Sequence, residues 1–274
     1  MESPAGPGRR KVARRATATA RTCKGRGTAD APPLPKITAA GVVKQLAGLG
    51  SDAMAEVART FFKTGKGEYG EGDRFFGIRA PLLHATVKDL KGAGLEVAVP
   101  LLKSGWHEAR AVALLLLVRL YKKSDPATQK AIYELYLKST KHINGWDLVD
   151  LSAEHIVGAF LADKPALRTR VLDKLARSES LWERRIAMLA TFHYIKRGEY
   201  AETLRLAEIL VHDREDLIQK AVGWMLREVG KRIGEEYEEP FLKRFQKTMP
   251  RTMLRYAIER FAEPKRRRYL AGKG

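Results

Sequence analysis

The sequence predicts an all-α protein: a HEAT-like or armadillo-like helical repeat solenoid with a concave basic groove. Three observations carry that expectation. From residue 38 onward, apolar residues recur at three and four spacing, and no run shows the alternation that marks a strand. Glycines and prolines punctuate these runs. Trp106, Trp146, Trp182 and Ile218 fall 40, 36 and 36 residues apart, a period proper to stacked two-helix units.

The elements follow in order. Residues 1–37 stand apart, rich in Pro, Gly, Ala, Thr and Arg and almost without large apolar side chains. Nine basic residues there face only Glu2 and Asp30, a net of +7. Such a segment cannot bury enough surface to fold alone, and it reads as a disordered basic N-terminal tail with sequence-blind affinity for phosphate. Residues 38–274 form the second expected domain. Its helical runs are Val42–Leu49, Val112–Tyr121, Ile132–Leu137, Ile186–Ile195, Leu204–Leu210 and Val222–Val229. Gly92, Gly94, Gly105, Gly145 and Gly198 break them, and Pro81, Pro126, Pro165 and Pro250 sit where helices begin. Five residues after the repeat markers come small residues in three of four cases, Ala111, Ala187 and Gly223.

Composition excludes several classes. The 274 residues carry 51 Lys and Arg against 32 Asp and Glu, a formal charge of +19, which favours a polyanionic partner. Cys23 is the only cysteine, so neither an internal disulfide nor a cysteine metal cluster is available, as in a reducing cytoplasm. The longest apolar run, residues 111–118, is too short to span a bilayer, and no secretory leader is expected. Gly65-Lys-Gly-Glu-Tyr-Gly70 matches a G-x-G-x-x-G string, but no strand precedes it and Glu68, Glu71 and Asp73 would repel a pyrophosphate. A flexible loop is expected there. His84, His107, His142, His155, His193 and His212 show no helical metal spacing, and no nucleophile elbow or Walker lysine loop occurs. Neither cofactor nor metal is expected.

One stretch points to chemistry. Asn144-Gly-Trp-Asp-Leu-Val-Asp150 opens a helix and places Trp146 and Asp150 one turn apart on one face. A carboxylate beside an indole in so basic a chain suits stabilisation of positive charge on a reacting sugar. Taken alone, the pair also fits a core tryptophan and a salt-bridged acid. Asp147 reads as a first-turn carboxylate at a helix N-terminus. In the repeat register Arg185 falls beside the Asp150 position, so both can point into one groove. Trp224 lies in an apolar stretch where a core role is the ordinary expectation.

Gly77-Ile-Arg-Ala-Pro81, the Asn144–Asp150 stretch, Leu181-Trp-Glu-Arg-Arg185 and residues 218–228 together resemble the AlkD-like DNA alkylation repair family, over about residues 40–265. That resemblance implies HEAT-like repeats and a monofunctional glycosylase acting on cationic N3- and N7-alkylated purines in duplex DNA. It implies Asp150 as the catalytic carboxylate, Trp146 and Trp224 as contacts to the lesion-bearing deoxyribose, and Arg185 as a groove arginine holding phosphate. It also implies attack from the backbone side without a deep base pocket. A departure is visible where the family's type member carries a DNA-facing tyrosine: here the chain reads Thr60-Phe61-Phe62-Lys63, and Tyr69 follows in the glycine-rich loop.

Lys220 and Arg227, and more weakly Lys265, Arg266, Arg267 and Arg268, are candidate phosphate contacts. A monomer in the cytoplasm, nucleoid-associated if bacterial, is expected, with no membrane and no obligate protein partner. The alternative is a non-catalytic HEAT-like scaffold binding nucleic acid or an acidic protein.

Overall fold

The computed structural model describes residues 36–274, so the basic tail lies outside the described residues except for its last two positions. Residues Ile37–Gly274 form one compact unit. No strand occurs among the described residues; a single bridge joins Arg74 to Trp106.

The first quarter contains α1 (Ala39–Leu49), α2 (Asp52–Phe61), α3 (Ala80–Asp89) and α4 (Leu95–Leu102). Thr38 and Ser51 cap α1 and α2, accepting the amides of Gly41 and Met54. The middle contains α5 (His107–Lys123), α6 (Pro126–Lys138), α7 (Trp146–Asp150), α8 (Ala159–Leu161), α9 (Pro165–Ala176) and α10 (Leu181–Ala190). The last part contains α11 (Phe192–Ile195), α12 (Ala201–Leu210), α13 (Asp216–Arg232), α14 (Glu235–Phe245), α15 (Arg251–Ala257) and α16 (Glu263–Leu270). Pro126 and Pro165 open their helices, and Pro250 caps α15, because proline's fixed φ and missing N–H cost nothing there. The expected continuous run Ile186–Ile195 is interrupted at Thr191, whose hydroxyl donates to the Met188 carbonyl at 2.7 Å and divides α10 from α11.

The repeat markers acquire a structural meaning. Trp106, Trp146, Trp182 and Ile218 all sit at the N-terminal end of a helix, α5, α7, α10 and α13 respectively. These helices pack in chain order, α5 on α7, α7 on α10 and α10 on α13. The small residues five positions on, Ala111, Ala187 and Gly223, are buried. At Gly223 a Cβ would come 2.4 Å from the Met253 carbonyl oxygen, so only glycine lets α15 lie against α13.

One continuous core runs the length of the unit, from Val42 in α1 to Tyr269 in α16. The chain after α7 is irregular. Leu151 and Ser152 turn, and residues Glu154–Gly158 form a π-helix, an arrangement that recurs at functional sites. Ser152, fully buried, donates to the Leu148 carbonyl at 2.6 Å and pairs with the Tyr136 hydroxyl at 2.9 Å. The break leaves Asp150 as the last residue of a five-residue helix. No helix among the described residues is long and apolar enough to cross a membrane.

Candidate active site

Asp150, Trp146, Arg185, Lys220 and Trp224 line one cavity of about 410 Å³. They come from α7, α10 and α13, three consecutive repeat layers, and the stacking of those layers brings them together in space. The cavity has further walls that spacing did not reveal: Phe61 at the end of α2, Lys63 and Tyr69 from the following loop, Asp216 and Leu217 from the start of α13, and Tyr256 from α15.

Arg185 holds the Asp150 carboxylate in a two-pronged grip, Nε donating to Oδ1 at 2.9 Å and Nη2 to Oδ2 at 2.8 Å. Its Nη1 donates to the Leu217 carbonyl at 2.6 Å. Three of the five N–H donors of the guanidinium are thus committed inside the protein. Buried to 5 % exposure, Arg185 orients the carboxylate and ties α10 to α7 and α13, a role beyond the phosphate contact that the resemblance implied. The Asp150 side chain keeps 19 % exposure toward the cavity. Burial raises its carboxyl above the ordinary value, and Arg185 opposes that rise.

The indole of Trp146 rests on a stack. Phe62 lies beneath it at 5.4 Å between centroids, and Phe61 meets it edge-on at 5.7 Å. Phe75 stacks on Phe62 at 5.1 Å, and His107 lies against both phenyl rings at 4.8 and 4.7 Å. His107 Nδ1 faces Asp73 Oδ2 at 2.9 Å and Nε2 faces Asp147 Oδ2 at 2.8 Å. Burial of the imidazole works against its charge, but the two carboxylates prevail and carry its pKa up to about 9. Both nitrogens therefore donate, and the ring is an imidazolium at neutral pH. Asp147 lies in the first turn of α7, as expected, but its charge serves His107. Arg110 completes the group, donating to Asp73 at 2.6 Å. No spacing rule links residues 73, 107 and 147, which is why this cluster was invisible in the sequence.

The Gly77-Ile-Arg-Ala-Pro81 motif is explained nearby. Glu108, buried, accepts the amides of Phe76, Gly77 and Ile78 at 3.0, 2.8 and 3.2 Å. Gly77 has φ 79°, and a Cβ there would lie 2.2 Å from the Ser51 carbonyl oxygen.

The glycine-rich loop corrects the flexible-loop expectation. Its carboxylates accept its own backbone: Gly65 donates to Glu68 at 2.8 Å and Gly67 to Glu71 at 2.7 Å. Gly70 donates to the Lys63 carbonyl at 3.1 Å. Glu68 and Glu71, two of the three acids that argue against a nucleotide site, thus build the turns that present Tyr69, whose ring meets Trp182 edge-on at 5.8 Å.

Lys220 pairs with Asp216 at 2.8 Å on the cavity wall. Lys63, Arg185 and Lys220 outnumber Asp150 and Asp216, so the cavity lining carries a net positive charge. Arg227 is not brought to it: it faces another cavity and pairs with Glu259 and Glu228. The basic run after Pro264 is also spoken for, Lys265 by Glu235 and Glu239, Arg266 and Arg267 by Glu263. Arg268 donates to the Lys273 carbonyl, and none of these residues lines the Asp150 cavity.

A family model described as DNA alkylation repair enzyme matches residues 42–261, most of the chain. The chain belongs to that family. As a DNA alkylation repair enzyme it acts in DNA repair, with DNA as its substrate. Among solved structures it is similar to a predicted DNA alkylation repair enzyme from Enterococcus faecalis, at 18 % identity and a TM-score of 0.61. The match covers 78 % of this chain and 97 % of that one, and at this identity it speaks for the shared fold. No curated protein matches.

Proposed function

We propose that this DNA alkylation repair enzyme is a monofunctional glycosylase that hydrolyses the N-glycosidic bond of N3- or N7-alkylated purines in duplex DNA. The observation that carries the reading is the convergence of Asp150, oriented by Arg185, with Trp146 and Trp224 on one cavity.

The chemistry suits those groups. Alkylation at N3 or N7 gives the purine a positive charge, so it leaves without a strong general acid. As the bond from C1′ to the base nitrogen stretches, its electron pair goes to the purine and neutralises it, while positive charge builds on the sugar. A fixed carboxylate beside C1′ stabilises that charge, and its free lone pairs position the attacking water. The water oxygen bonds C1′ and releases its proton to Asp150 or solvent, giving the free base and an abasic sugar. The indole faces favour a cationic transition state over a neutral ground state. Arg185 keeps Asp150 ionised and fixed, so little reorganisation is needed at the moment of reaction.

Lys63 and Lys220 on the cavity wall supply phosphate contacts, which make binding steeply salt-dependent and indifferent to sequence. The reading is tested by incubating methylated duplex DNA with the wild type and with Asp150→Asn and measuring released 7-methylguanine and 3-methyladenine. Release by the wild type and its loss in the variant are expected. No release by the wild type leaves a non-catalytic DNA-binding scaffold; equal release by both means another group is the catalytic one.

A further inference from the structure

α7 is only five residues long, yet it carries Trp146 at its first position and Asp150 at its last. A helix of little more than one turn does not hold itself in place. No side chain caps its N-terminus, which opens on Gly145. Its position therefore depends on ties to its neighbours. At the C-terminal end the tie is the Asp150–Arg185 fork. At the N-terminal end it is Asp147, whose Oδ2 meets His107 Nε2 at 2.8 Å. Asp147 Oδ1 is buried without a hydrogen-bond partner, so among the described residues His107 is the one side chain that holds this carboxylate.

The same ring stands behind Trp146. His107 lies 4.8 and 4.7 Å from Phe62 and Phe75, and Phe62 stacks under the indole at 5.4 Å. One imidazole thus backs both the start of α7 and the aromatic column on which the indole rests. The charged groups around it are Glu108 and Arg110 on α5, Asp73 in the loop after α2, Asp147 on α7, and Arg79, exposed at the edge of the adjoining space. With the ring protonated, the three cations match the three carboxylates. Loss of its proton leaves one negative charge in excess and aims a lone pair, in place of an N–H, at Asp73 or Asp147. Asp73 keeps Arg110 as a second donor, at 2.6 Å, whereas Asp147 has none.

We propose that His107 is a positioning residue for base release: clamped between Asp73 and Asp147, it fixes α7 and the indole of Trp146, and so sets how Trp146 and Asp150 meet the sugar. The ring is not among the residues that line the Asp150 cavity, so it acts through α7 and the aromatic column. The part of the inference that concerns turnover rests on the glycosylase reading; the placement of Trp146 does not. Burial opposes the charge of the ring, but Asp147 and Asp73 outweigh it and carry its pKa up to about 9. Release of the base therefore acquires an alkaline limb near that pH, as the clamp loses its proton and α7 its N-terminal tie.

Two readouts on the whole chain test this. Single-turnover release of 7-methylguanine from methylated duplex DNA, corrected for loss without enzyme, is followed from neutral to strongly alkaline pH. The indole C–H resonances of Trp146 are followed over the same range without DNA. In the wild type, release is expected to fall through the limb by about tenfold or more, the size of a small misplacement of reacting groups. The Trp146 resonances titrate with it. Asp147→Asn removes one of the two charges that hold the proton and keeps an acceptor for Nε2–H, so both midpoints move down by about 1 pH unit or more. His107→Gln abolishes both titrations and leaves release low throughout, while affinity for undamaged duplex stays as in the wild type. Should His107→Gln fail to fold, Asp147→Asn decides alone: a ring that only stabilises the fold changes the melting temperature and leaves the midpoints in place. Trp146 resonances that do not titrate overturn the inference. So does a release limb that stays put in Asp147→Asn, as one set by the DNA or by a lysine would, and that outcome leaves the glycosylase reading standing. A Trp146 titration that moves in Asp147→Asn, with no release by the wild type at any pH, upholds the placement and defeats the glycosylase reading.

Discussion

Asp150 and Arg185 meet through two nearly equal hydrogen bonds, 2.9 and 2.8 Å, across the seam between α7 and α10. The pair is largely withdrawn from water, so each partner depends on the other: the carboxylate is ionised because the guanidinium is there, and the guanidinium is tolerated at 5 % exposure because the carboxylate is there.

Asp150→Asn removes the charge and keeps the shape. Turnover of N-alkylated purine is expected to fall by about 3–4 kcal/mol of barrier, the usual cost of one lost electrostatic stabiliser. Single-turnover release of the base measures it. In the wild type the acid limb of the rate profile is shifted upward from that of an ordinary aspartate, because burial raises the Asp150 carboxyl and the active form is the anion.

Arg185→Ala leaves a buried carboxylate without its partner, and stability falls by about 3–5 kcal/mol. Arg185→Lys keeps the charge but cannot reproduce the fork, and it recovers part of the stability while leaving turnover low. Urea unfolding at neutral pH, set beside base release, separates the two effects.

His107 contributes pH-dependent stability. Its folded pKa of about 9 lies above the ordinary imidazole value of 6.5. The contribution is therefore complete below about pH 6.5 and is lost as pH rises through about 9. Unfolding free energy measured from pH 6 to pH 10 falls in the wild type, and His107→Gln removes that part of the slope. A flat wild-type curve would mean the ring is neutral in the folded protein.

Gly77→Ala forces a Cβ to within 2.2 Å of a carbonyl oxygen and a left-handed φ of 79° on an L side chain. The cost is about 3 kcal/mol, read as a shift of the unfolding midpoint.

Lys63→Ala and Lys220→Ala each remove one expected phosphate contact. Affinity for undamaged duplex falls, and the slope of log affinity against log salt drops by about 1 per substitution. Arg227→Ala, at a residue that faces another cavity and not the one lined by Asp150, leaves the slope unchanged.

By itself the sequence determined the helical architecture, from regular apolar spacing, the helix starts at Pro126 and Pro165, from proline, and the nearness of Arg185 to Asp150, from the repeat register; the roles of Trp146 and Trp224 were implied by the family resemblance. Stacked repeats convert spacing into proximity. Only the tertiary structure decided what each charge does. It gave Arg185 to Asp150, took Arg227 and the Lys265–Arg268 run into ion pairs or away from the site, and joined Asp73, His107 and Asp147 beneath Trp146. It also placed Phe61, Lys63, Tyr69 and Tyr256 on the cavity wall. The physical reason is range. A hydrophobic period is a local property that survives reading one residue at a time, whereas an ion pair depends on an oxygen and a nitrogen coming within about 3 Å. Residues 34 or 40 positions apart reach that distance only through the packing of helices between them.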